Sequence, residues 1–127
     1  MRSDGPEWGT YLERTVVDQM GMAYGISGRN KKAEKIFRDA IKDDPEYPMY
    51  HYNLACALAE QDQMKKAAPE LVKAFELRDN MMGAERLPNP QNDPSFRPHV
   101  DDPAFKKAMR KIREMMREEK SSGRRRR

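Results

Sequence analysis

Residues 17–40, VDQMGMAYGISGRNKKAEKIFRDA, are answered 34 positions later by residues 51–74, HYNLACALAEQDQMKKAAPELVKA. Ala23 returns as Ala57, Ala33 as Ala67 and Ala40 as Ala74, and the run Lys31, Lys32, Ala33 recurs unchanged as Lys65, Lys66, Ala67. Where identity is lost, size class is kept: Met20 becomes Leu54, Gly21 becomes Ala55, Tyr24 becomes Leu58 and Phe37 becomes Leu71. A period of this length marks a stacked architecture, because a single unit has an apolar face that only a neighbouring unit can cover.

Working outward, each copy reads as two helices. Pro6 suits a first helical position, and Trp8, Leu12, Val16, Met20 and Ala23 or Tyr24 recur at spacings of three and four, which predicts one amphipathic helix to about Ile26. Ser27, Gly28 and Arg29 break it, and Asn30 is the expected cap of a second helix to about Asp43, with Ala33, Ile36, Phe37, Ala40 and Ile41 as its apolar stripe. The second pair is expected from about Glu46 to Gln61 and from about Gln63 to Arg78, with Asp62 as the cap between them. Pro69 falls inside the fourth helix, where a kink is expected because proline removes a backbone donor and crowds the preceding turn. Pro88, Pro90, Pro94 and Pro98 then rule out a long helix. A last helix is expected from Asp102 to about Lys120, with Phe105, Ala108, Met109, Ile112 and Met116 on one face, and residues 121–127 read as a disordered basic tail.

The doubled pattern resembles the tetratricopeptide repeat, a 34-residue helix, turn, helix unit. Val17, Met20, Gly21, Tyr24, Ala33, Phe37, Ala40 and Pro45 occupy its signature places in the first copy, and His51, Leu54, Ala55, Leu58, Ala67, Leu71, Ala74 and Asp79 in the second. Val17 and His51 stand in for the usual large aromatic, Asp79 for the usual proline, and Pro69 is an intruder. The resemblance implies an all-α fold, a right-handed superhelical stack of antiparallel helix pairs closed by a C-terminal capping helix. The expected layout is one helical domain over 1–120, with repeats at about 14–47 and 48–81, a Pro-rich connector at about 82–101 and the capping helix at about 102–120.

Composition narrows the function classes. The chain has 127 residues, of which 36% are charged and 37% apolar, with a mean hydropathy of -1.07. No run approaches the roughly 20 apolar residues of a membrane span, and residues 1–6 lack the apolar core of a secretory signal. Only Cys56 is present, so a reducing, cytoplasmic setting is the simpler expectation, with a nuclear one left open by the basic tail. The isolated His51 and His99, the absence of a Cys and His cluster, and glycines without a phosphate-loop pattern give no catalytic, cofactor or metal site, so no enzyme is expected.

Binding is the better supported class. The resemblance implies a concave groove lined by the first helix of each pair, here Thr15, Asp18, Met22 and Ile26, then Met49, Tyr52, Asn53, Cys56 and Glu60. These make an apolar, adaptable surface suited to a peptide or helix of a partner protein. The competing expectation is that the last helix or the Pro-rich segment folds over this face. Relatives that hold acidic chaperone tails use a clamp of lysines, asparagines and an arginine, and only Asn53 matches it, so chaperone C-termini are disfavoured.

The pI near 9.2 belongs to one end. Residues 1–103 carry 14 Lys and Arg against 18 Asp and Glu, whereas residues 104–127 carry 11 against 3. Lys106, Lys107, Arg110, Lys111 and the run Arg124, Arg125, Arg126, Arg127 form a basic surface that offers an alternative role toward nucleic acid or an anionic membrane. Two repeats fall below the usual three, which leaves self-association or membership of a longer array as a further alternative.

Overall fold

A computed structural model of the chain describes residues 7–121, with side-chain surroundings from residue 10 onward. Among these residues there are five α-helices and no strand: α1 (Glu7–Ile26), α2 (Asn30–Asp43), α3 (Pro48–Ala59), α4 (Met64–Glu76) and α5 (Pro103–Ser121). Between α4 and α5 lie three single-turn 3-10 helices, Arg78–Asn80, Pro90–Asn92 and Arg97–His99, the last two each with a proline in the first turn. The basic run Arg124 to Arg127 lies outside the described residues.

Both helix pairs turn in the same way, and at equivalent positions. Gly28 has φ +84° and Asp62, 34 residues on, has φ +60°. In the first turn the Arg29 N–H donates to the Tyr24 carbonyl at 2.8 Å and the Gly28 N–H to the Gly25 carbonyl at 3.0 Å; in the second, Gln63 donates to Leu58 at 3.0 Å and Asp62 to Ala59 at 2.9 Å. This paired C-cap satisfies the last carbonyls of α1 and α3. Asp62 therefore terminates α3 in the left-handed region that an aspartate tolerates, rather than capping α4 as expected. Asn30 likewise does not cap α2: it is the first helical residue, after Arg29 at the cap.

The core runs from α2 to α5 through Phe37, Tyr50, Leu54, Leu58, Leu71, Phe75, Phe105 and Ile112. Small residues let α3 sit at its centre, with Ala55, Ala57 and Ala59 all buried, so that α2 and α4 approach from either side. Gly21 does the same for α1: a β-carbon built there would lie 2.1 Å from Cζ of Phe37, so the Phe37 ring rests on bare backbone. Helix α4 continues through Pro69, whose ring is exposed.

Two polar links tie the layers. The Arg14 guanidinium donates twice to the Asp44 carboxylate, at 2.7 and 2.9 Å, and lies 4.2 Å from the centre of the Tyr47 ring, joining α1 to the turn after α2. Arg78 donates to Glu119 and to the Phe75 carbonyl, joining α5 to the end of α4. His51 is buried as expected of its core position. Its Nδ1 lies 2.9 Å from Glu70 and its Nε2 2.7 Å from the Pro45 carbonyl. Burial pushes its pKa down, but the Glu70 carboxylate and the Pro45 carbonyl outweigh it and leave the pKa above the ordinary histidine value. Both ring nitrogens face acceptors, and only the imidazolium can donate to both.

Candidate interaction cleft

The groove face of the second repeat is not open. The connector crosses it, led by Phe96, which is fully buried between Tyr52 at 5.9 Å and Phe105 at 5.7 Å, ring centre to ring centre. Asp93 receives the Tyr52 hydroxyl at 2.8 Å, the Cys56 thiol at 3.8 Å and the Ser95 N–H at 3.0 Å, while the Ser95 hydroxyl donates to Glu60 at 2.9 Å. His99 Nε2 reaches the Ala59 carbonyl at 2.9 Å and pins the connector to the end of α3.

Tyr52 is consequently 1% exposed rather than free to meet a partner, which overturns its place among the exposed groove residues. Cys56 is also largely covered, and burial together with the Asp93 carboxylate raises its thiol well above the ordinary value, so little thiolate exists at neutral pH. The signal for this covering was present in Asp93, Pro94, Ser95 and Phe96: a turn former and an aromatic in an otherwise polar, proline-rich segment need an apolar surface to dock on.

What remains is a cleft of about 450 Å³ bounded by α1, α3, α2 and the connector. Met22, Ile26, Met49, Tyr52, Asn53, Cys56 and Glu60 all border it, along with Gly21, Gly25, Phe37, Pro88 and Pro94. Of the expected groove residues, Thr15 and Asp18 do not. The Thr15 hydroxyl donates back to the Tyr11 carbonyl at 2.9 Å, and Asp18 accepts from Asn53 Nδ2 at 3.1 Å. Burial raises the Asp18 carboxyl to about 6, against the opposing pull of the Asn53 amide, so this acid gains its charge only above mildly acidic pH.

The open part of the cleft is apolar. Ile26 is 84% exposed, Met22 is exposed and Met49 half-buried, whereas Tyr52, Asn53, Cys56, Glu60, Asp93 and Ser95 are engaged in the hydrogen bonds given above. The exception is Asn30, whose Oδ1 is buried at the cleft wall without a partner. Glu60 and Asp93 border the cleft, and no Lys or Arg does.

The basic residues Lys106, Lys107, Arg110 and Lys111 are exposed on α5. Lys107 and Lys111 face Lys65 and Lys73 of α4 across a second cleft of about 400 Å³, floored by Ala68, Pro69, Val72, Ala104 and Ala108 and also bordered by Glu76. Among the described residues no group of three or more His, Cys, Asp or Glu is placed to hold a metal ion, and no helix is long and apolar enough to cross a membrane.

Comparison with family models matches residues 17–47 and 50–81 to the tetratricopeptide repeat. Neither the curated proteins nor the solved structures compared with the chain gave a match. The matched segments span the two helix pairs with equivalent turns, and the first helix of each pair, α1 and α3, borders the cleft together with α2. Such repeats form stacked helical hairpins that serve as protein-interaction scaffolds and are typically non-catalytic. By its two tandem repeats the chain belongs to the tetratricopeptide repeat family.

Proposed function

We propose that the chain is a non-enzymatic scaffold that holds a partner protein by seating an apolar side chain, or a short apolar turn of helix, in the cleft between α1, α3 and the connector. The observation that carries this reading is the division of labour in the cleft. Its polar residues, Asn30 excepted, are spent on holding the connector and α1 in place, and apart from the hydrogen-bonded Glu60 its exposed remainder is apolar: Met22, Ile26, Pro88, Pro94 and the edge of Met49. Methionines adapt to irregular apolar ligands. Glu60 and Asp93 at the border disfavour acidic chain termini, in keeping with the poor match to a carboxylate clamp, and Asn53, its one matching residue, is occupied by Asp18.

The test is a peptide selection on the intact chain followed by titration of the selected peptides. Met22→Glu with Ile26→Glu, both at exposed positions, should weaken binding at least about tenfold, equal to about 1.4 kcal/mol, with the helical circular dichroism unchanged. Peptides that bind the double variant as well as the wild type would defeat the reading.

A second reading rests on the α4–α5 cleft, where four lysines surround an apolar floor. It supports contact with an anionic macromolecule, nucleic acid or a membrane surface, through the basic end of the chain. Binding would fall steeply with salt and be lost in Lys107→Glu with Lys111→Glu; salt-insensitive binding would refute it.

A further inference from the structure

The outward face of α1 is the anomaly of this surface. In a chain with 36% charged residues, the solvent faces of α2 and α5 are studded with lysine and arginine. On α1 the strip formed by Leu12, Thr15, Val16, Gln19, Met20 and Ala23 contains no charge over three turns. The sequence pattern puts Leu12, Val16, Met20 and Ala23 on the apolar stripe of an amphipathic helix, yet all four, with Gln19, are exposed. The second repeat shows what the strip is built for. Val16 is 56% exposed and its counterpart Tyr50 2%; Met20 is 49% exposed and its counterpart Leu54 1%. Gln19 and Ala23 correspond to the buried Asn53 and Ala57. On α3 this face is covered from the preceding repeat, where Tyr50 meets the Phe37 ring of α2 and Asn53 meets Asp18.

We infer that the α1 strip is a self-association surface, closed by the same strip of a second copy running antiparallel about a two-fold axis at Val16. The chain's own surfaces point to this occupant. Helices α2 and α4 cannot serve, since Ala33, Phe37, Ala67, Leu71 and Ala74 are already buried. The outer face of α5 is strongly basic and carries only Met116 as an exposed large apolar residue, too little to match a strip of three turns. The α1 strip matches itself: an axis at Val16 sets Leu12 against Met20 of the second copy. The one charged residue at its edge, Glu13, then meets Gln19 of that copy instead of another carboxylate. The strip is separate from the cleft, which Val16 does not border, so the proposal stands apart from the peptide-binding reading.

Light scattering on the intact chain across a concentration series should show the mass doubling. Val16→Glu, at an exposed position, should hold it at the single-chain mass with unchanged helicity. Val16→Cys should form a disulfide-linked dimer under mild oxidation, because the axis brings the two thiols together while Cys56 stays shielded; Met22→Cys, off the axis, should not. A chain monomeric throughout, a Val16→Glu variant that still dimerises, or a Val16→Cys variant that links no faster than Met22→Cys would each overturn the assignment, and the cross-linking arm decides the matter if the glutamate variant misfolds.

Discussion

The two repeats share a register, a turn and a set of alanines, but they differ in what surrounds them. In the second, α3 is covered on successive sides by α2, α4 and the connector, and nearly every residue from Tyr50 to Ala59 is buried. In the first, α1 packs against α2 and the edge of α3, no helix covers its other face, and Leu12, Val16, Met20, Met22 and Ile26 stay in water. A repeat's residues acquire their surroundings from position in the stack rather than from the motif: the same apolar register is core in one unit and exposed in the other.

The sharpest way to break this comparison is to truncate equivalent residues. Leu54→Ala should cost about 2–5 kcal/mol in chemical denaturation, as for any fully buried leucine, while Met20→Ala measured on dilute protein should stay within about 0.5 kcal/mol, as at exposed sites. Equal costs would mean that α1 is as enclosed as α3.

The next effect concerns how each pair is packed. Gly21 with Phe37 corresponds to Ala55 with Leu71, a smaller residue facing a larger one. Gly21→Ala gains helix propensity but drives its methyl into the Phe37 ring, and a net loss of about 1–3 kcal/mol is expected. Adding Phe37→Leu should recover part of it, and a double-mutant cycle would measure the coupling. Additive effects would show that the two positions are not coupled.

The comparison also separates the aromatic places of the two repeats, Val17 and His51. Because the pKa of His51 is raised in the folded state, its contribution is fully present below the unfolded value of about 6.5 and is lost as pH rises through the folded value. His51→Gln should therefore cost about 1–3 kcal/mol in mildly acidic buffer and less in alkaline buffer, and Glu70→Gln should shrink that pH dependence. A cost independent of pH would refute the imidazolium assignment.

The smallest expected effect lies in the turns. Asp62→Gly, placing in the second turn what Gly28 provides in the first, should stabilise the chain by about 0.5–1 kcal/mol by relieving the left-handed backbone. A loss would show that the exposed Asp62 carboxylate matters more than its backbone, through its approach of 3.8 Å to His99.

Local signals carried most of the fold. The 34-residue spacing of alanines and glycine set the helix pairs, and the observed helices start and stop within about two residues of most expected positions. The caps differ from expectation because Asn30 and Asp62 have side chains that suit an N-cap, while the backbone uses Asp62 for its tolerance of positive φ and begins α2 at Asn30 itself. The site was legible in part. Met22, Ile26 and Met49 do border a cleft, but the burial of Tyr52 depends on a contact with Asp93, 41 residues away, and helical periodicity carries no information at that range. The Arg14 link is illegible in the sequence for the same reason, since its partner Asp44 lies 30 residues on.

The contrast between a closed and an open repeat is tested most directly by native-state hydrogen exchange on dilute protein. Amides of α3 and α4 should exchange only through global unfolding, and those of α1 through local opening at a lower free energy. If α1 is protected as strongly as α3 under these conditions, the first repeat is not the open end of the stack and the assignment of its faces to partners fails.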